Sequence, residues 1–136
     1  MNVLLDTHIL VWMLNGYSLL TEDSEFQDLF LNRINEIYFS AISIWEIELK
    51  RLTGKTTFKY DGKEIYYASL DSNMVPMPLF PKHCLKLKDS ETPQKDPFDR
   101  ILLAQAKDNN LILLTHDSRF KDLNDKNVYY LALSNT

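Results

Sequence analysis

Two uninterrupted aliphatic runs, NVLL at residues 2–5 and LILL at residues 111–114, most constrain what this chain can fold into. A strand with one solvated face alternates apolar and polar residues, so short unbroken runs belong to strands covered on both faces. Each run passes into a segment with helical spacing or turn character, and so does the β-branched and aromatic IYFSA at residues 37–41. Strands alternating with helices predict an α/β sandwich around a mainly parallel sheet. Ligands of such sheets bind beyond the carboxyl ends of the strands, which is where chemistry is to be sought.

The remaining elements follow from periodicity and punctuation. THILVWMLNG reads as a helix stopped by Gly16, and TEDSEFQDLFLNRINE as a second one, capped by Thr21 and burying Phe26, Leu29, Phe30 and Ile34. SIWEIELKRLTGK is helical as far as Gly54. Residues 56–73 predict a loop and a helix containing Ile65, Tyr66 and Leu70. Three prolines in MVPMPLFPKH suit a sheet edge, and KLKDSETPQK reads as a surface loop. Asp96 caps a helix from Pro97 to about residue 109, whose apolar body leads into the LILLT strand. DSRFKDL is then a turn or short helix, and NVYYLAL a final strand. At 136 residues, without repeat or linker, the chain is expected to be a single domain over residues 1–136.

Hydrophobic residues make up 45% and charged residues 25%, which excludes disorder as the default. One cysteine, Cys84, excludes an intrachain disulfide and suits a reducing cytoplasm. The apolar N-terminus is interrupted by Asp6 and His8 and has no basic leader, so it reads as strand and helix. No stretch is apolar for long enough to span a membrane. A net charge of −4 disfavours nucleic-acid binding by bulk electrostatics, yet Lys50, Arg51, Lys55, Lys59 and Lys63 form a local basic stretch.

Asp6 and Asp117 follow the two aliphatic runs, Glu46 lies early in the helix after IYFSA, and Asp99 lies in the first turn of the helix that Asp96 already caps. Four acids at one sheet edge raise one another's pKa and destabilise the fold unless cations join them. Oxygen donors without cysteine select Mg2+ or Mn2+, and such ions support phosphodiester cleavage by activated water. Helix capping is the competing explanation for Asp6, Asp96 and Asp117, a favourable charge on the helix dipole for Asp99, and a solvated face shared with Glu48 for Glu46. Spacing alone leaves both readings open.

LLDTHILVW, SAISIWEIELKRLTGK, DPFDRILLAQA and LILLTHDSRF, in that order, closely resemble the PIN-domain ribonucleases, in particular the VapC-like toxins of bacterial toxin–antitoxin pairs. The resemblance implies a PIN-like three-layer α/β/α sandwich with a five-stranded, mainly parallel sheet, and divalent-metal-dependent cleavage of RNA. It assigns metal ligation and catalysis to Asp6, Glu46, Asp99 and Asp117, with Mg2+ or Mn2+ as cofactor. It places Thr7 and Thr115 beside those acids, where a hydroxyl could orient a carboxylate or water. Asp96 then caps the helix or substitutes for Asp99, and Arg100 contacts phosphate or, by a small margin, forms a structural ion pair. Many relatives carry a histidine where this chain has Gln94. A small antitoxin partner and a homodimer are also implied. Lys50, Arg51 and Lys55 are placed to track an RNA backbone.

Several residues are read as structural. His8 and His116 are assigned to packing around the acids, Cys84 to a packed small residue, and Trp12 and Trp45 to core or subunit contact, while His83 has no partner at useful spacing. Two alternatives remain. An aspartate-nucleophile phosphatase would need a second aspartate two residues after Asp6, where His8 stands; the other alternative is a catalytically silent binding module.

Overall fold

Residues 1–16, 22–55, 58–86 and 96–133 are described by the computed structural model. The NVLL run is strand β1 (Asn2–Leu5), and it lies at the middle of a five-stranded sheet in the order β3-β2-β1-β4-β5. Its neighbours are β2 (Glu36–Ser40) and β4 (Ile112–Thr115), with Leu4 opposite Tyr38 on one side and Leu113 on the other. β3 (Val75–Met77) and β5 (Val128–Tyr130) form the edges, and all four pairings are parallel. Pro76 is tolerated in β3 because an edge strand has one side free of ladder bonds.

Successive side chains of a strand point to opposite faces, and the aliphatic runs use both. Val3, Leu5 and Leu114 join one core cluster with Ile9, Leu10, Phe26, Leu29, Ile47 and Ile65. Leu4 and Leu113 join a second with Leu102, Leu103, Ala106 and Phe120. The first cluster is covered by α1 (Thr7–Leu14), α2 (Ser24–Asp28) and α4 (Gly62–Asp71), and α3 (Ala41–Leu52) contributes Ile47 to it and Ile42 to the second. The second is covered by α6 (Pro97–Asp108) and a 3-10 turn, Ser118–Phe120. This is the expected α/β/α sandwich. Leu4 is fully buried, so Leu4→Ala is expected to cost about 2–5 kcal/mol, read as the midpoint shift in urea unfolding.

Local chemistry sets the element ends. Asp61 accepts from Glu64 N while the Glu64 carboxylate accepts from Asp61 N, a capping box that starts the helix expected around Ile65. Gly62 lets Glu48 approach closely there: its N–H donates to Glu48 Oε1 at 2.6 Å, and a Cβ would meet that side chain at 2.7 Å and displace it. Gly54 takes a positive φ of 68° just beyond α3, as a C-terminal stop does.

Several expectations need correction. The helix read from residue 21 is broken in two: Asp23 caps α2 by accepting from Phe26 N, and a π turn, Leu29–Arg33, completes the segment. Thr21 lies outside the described residues, as do Gln94 and most of the expected loop at residues 86–95. His83 does have partners: it is buried in α5 (Pro81–Leu85), its Nδ1 accepts from Phe80 N, and Nε2–H donates to Asp108 Oδ2 on α6. That helix buries one residue against α6, and His83 takes the place, so Cys84 is exposed rather than packed. Trp45, at 60% exposure, is not a core residue, which leaves the subunit-contact half of its reading. The final strand ends at Tyr130 rather than running through NVYYLAL.

Candidate active site

The strand order reverses between β1 and β4: β2 and β3 are added on one side of β1, then β4 and β5 on the other. Such a switch point opens a crevice at the carboxyl ends of the two strands. Asp6 leaves β1 there, and Thr115 is the last residue of β4. Asp6 is buried, its Oδ1 caps α1 by accepting from Ile9 N at 2.8 Å, and its Oδ2 accepts from the Thr115 hydroxyl. The cap and the site reading of Asp6 are therefore compatible, one oxygen serving each. Burial pushes its carboxyl above the ordinary range, and Glu46 adds to this, against the opposing effects of Thr115, Ile9 and His8.

Glu46 is also buried, which rules out the solvated face shared with Glu48. The Thr7 hydroxyl lies 2.7 Å from Glu46 Oε1 and 2.9 Å from Ser43 Oγ. Thr7 has one proton, and the carboxylate can only accept, so Thr7 donates to Glu46 and receives from Ser43. Lys50 donates to Glu46 Oε2 one helical turn on. This differs from its expected place along an RNA backbone.

Asp96 caps α6 by accepting from Phe98 N at 2.9 Å, which leaves Asp99 free of that task. Asp99 is half-buried, and its carboxyl is pushed up to about 8 by burial and then by Asp96, Asp6, Glu46 and Asp117 in that order. Its field thus contains every acid that the sequence nominated. Asp117 caps the 3-10 turn by accepting from Arg119 N, and the Arg119 guanidinium grips both its oxygens, at 3.2 and 2.9 Å. Arg100 is half-buried in the same first turn as Asp99.

The acid-bearing helices are cross-tied. Ser40 caps α3 and donates to Gln105 Oε1 at 2.6 Å, while Gln105 Nε2 donates to Pro78 O. Gln105, fully buried on the Asp99 helix, links it to the start of the Glu46 helix and to the end of β3. Sequence reasoning missed Ser43, Gln105 and Arg119. Only Arg119 carried a signal, as a cation two residues from Asp117.

The donor set is entirely oxygen, from four carboxylates with two hydroxyls beside them, and suits a hard divalent cation. It is not a closed cage: among the described residues no three His, Cys, Asp or Glu side chains are gathered closely enough to hold an ion as they stand. Lys50 and Arg119 supply positive charge to two of the acids.

The family model described as PIN domain matches residues 3–126. The chain belongs to the PIN domain family. No curated protein matches it. Among solved structures, this PIN domain is similar to a chain of VapBC2 from Rickettsia felis bound to a promoter DNA fragment, with TM-score 0.63 and 20% identity over 96% of this chain and 98% of that one. It is similar also to a chain of a toxin–antitoxin complex from Klebsiella pneumoniae, with TM-score 0.60 and 18% identity over 95% and 99% of the two chains. For VapBC-1 from nontypeable Haemophilus influenzae the TM-score is 0.56, with 20% identity over 96% and 98%. At these identities the likeness is one of fold.

Proposed function

We propose that this PIN domain, a single domain over residues 1–136, is a Mg2+- or Mn2+-dependent endoribonuclease and the VapC-like toxin of a toxin–antitoxin pair. The observation that carries the reading is the acid crevice at the switch point, where Asp99 is held near 8 by burial and four neighbouring carboxyls. Such a cluster weakens the fold that contains it, which argues for a task that needs the negative charge. Membership of the PIN family and the fold shared with chains of VapBC complexes support the same reading.

Asp6, Glu46, Asp99 and Asp117 are the residues that would hold the cation. When bound, it supplies charge neutralisation at the scissile phosphate and an acidified water for hydrolysis. The chain's own residues do the aiming. Thr115 fixes one Asp6 oxygen, Ile9 N fixes the other, and the Ser43–Thr7 pair fixes Glu46. Lys50 and Arg119 share their carboxylates with whatever enters, and Arg119 lies where a phosphate oxygen could take its donors.

A small antitoxin covering this crevice, a homodimer and a cytoplasmic location complete the proposal. Among the described residues no helix is long and apolar enough to cross a membrane. The deciding experiment incubates purified protein with a mixed cellular RNA pool in Mg2+, Mn2+ or EDTA. Cleavage with either metal and none in EDTA is expected; a well-folded protein that cuts nothing with either metal would leave the silent binding module as the better reading.

A further inference from the structure

Beside the acids runs a feature that the nuclease reading does not use, a continuous row of five rings. Phe58 and His8 meet edge to face with centroids 5.9 Å apart, His8 and Trp12 at 6.1 Å, Trp12 and His116 at 5.7 Å, and His116 stacks on Tyr130 at 6.0 Å with an interplanar angle of 14°. The rings come from α1, from the segment after α3, and from the ends of β4 and β5, so the row is assembled by the fold rather than by one helix. His8 is exposed, and the other four are half-buried, with their remaining surface open to solvent. Trp12 and Phe58 pack with one side against the first core cluster, and the row keeps its other side open.

Its position relates it to the crevice. His8 stands two residues after Asp6 and acts on that carboxyl electrostatically, and His116 lies between Thr115 and Asp117. At the other end Arg51 donates to the Phe58 carbonyl at 2.6 Å, and Lys55 and Lys59 are exposed nearby in sequence. Rings with flanking cations are the combination that holds single strands, bases stacking on π faces and phosphates following the charge. Duplex bases are already stacked and offer no face.

We propose that the row Phe58–His8–Trp12–His116–Tyr130 is a stacking platform for unpaired bases of single-stranded RNA, leading the strand past Arg51 to the carboxylates. This rests on the nuclease reading for its substrate, and binding is therefore measured apart from cleavage. In a Trp45→Phe background Trp12 is the one tryptophan, so its fluorescence reports on the row. A uridylate 12-mer is titrated in EDTA beside an abasic ribose-phosphate 12-mer of equal charge.

The expected result is quenching of Trp12 by the base-bearing strand and little by the abasic one. His8→Ala, at an exposed position, is expected to weaken uridylate binding between about fivefold and a hundredfold. Equal affinity for the two oligomers, or a His8→Ala affinity equal to the parent's, overturns the platform even if the protein cleaves RNA with Mg2+. Base-dependent quenching in a protein that never cleaves would uphold the platform and remove the nuclease.

Discussion

Asp6→Asn is expected to reduce metal-stimulated RNA cleavage by at least about a hundredfold without unfolding the protein. The asparagine oxygen can still accept from Ile9 N, so the α1 cap survives, and the Thr115 hydroxyl can turn to accept from the new amide. What is lost is negative charge at the centre of the crevice. Loss of an outer partner in a metal site already costs about 10–100-fold, and a residue that itself holds the ion should cost more. Two readouts separate this from simple damage. Circular dichroism should be unchanged, and the thermal stabilisation of the parent by Mn2+ should shrink or vanish in the variant. A variant that cleaves at parental rate would reduce Asp6 to a helix cap.

The second large effect is a pH dependence of stability in the metal-free protein. Asp99 holds its proton up to about pH 8 in the fold, whereas in the unfolded chain it ionises near 4. Between those values the native state binds more protons than the unfolded state, so stability falls as pH rises. Buried Asp6, also raised, acts in the same direction. The half-exposed Asp99 site keeps some hydration, so the expected loss from pH 5 to pH 8 is about 2 kcal/mol rather than the full value of such a shift, or roughly 5–10 °C. Below pH 4 the trend reverses, because the Lys82 ammonium and then His83 hold Asp108 below the usual carboxylate range. Asp99→Asn should flatten the upper limb, and Mn2+ at pH 8 should restore much of the lost stability in the parent alone. A flat profile from pH 5 to pH 8 in the parent would place Asp99 in open solvent.

The sheet was legible because NVLL and LILL are short apolar runs that end at an acid or a turn, as strands covered on both faces do, whereas the longer apolar run ILVWML belongs to α1. The four acids could be named because each stands at a strand end or in a helix's first turns. Whether Asp99 or Asp96 was the helix cap turned on one hydrogen bond, Phe98 N to Asp96. Ser43 and Gln105 were not legible. A buried serine or glutamine has no periodic signature, and its role appears only when a hydrogen-bond partner 36 or 65 positions away arrives. The break at Asp23 was hidden for the opposite reason, since Phe26, Leu29 and Phe30 keep helical spacing through a π turn.

The Thr115–Asp6 bond joins residues 109 positions apart, and β1 pairs on one side with β4. A ribosome therefore finishes Asp6 long before the strand that completes its surroundings exists. Contacts of such sequence separation form late, after the loop entropy between them has been overcome. Half-made copies of this chain carry Asp6 and Glu46 but lack Asp99, Thr115 and Asp117, and so lack the crevice. On the nuclease reading, synthesis itself acts as a safety catch, delaying any competence to cut until the segment through Asp117 has emerged and folded.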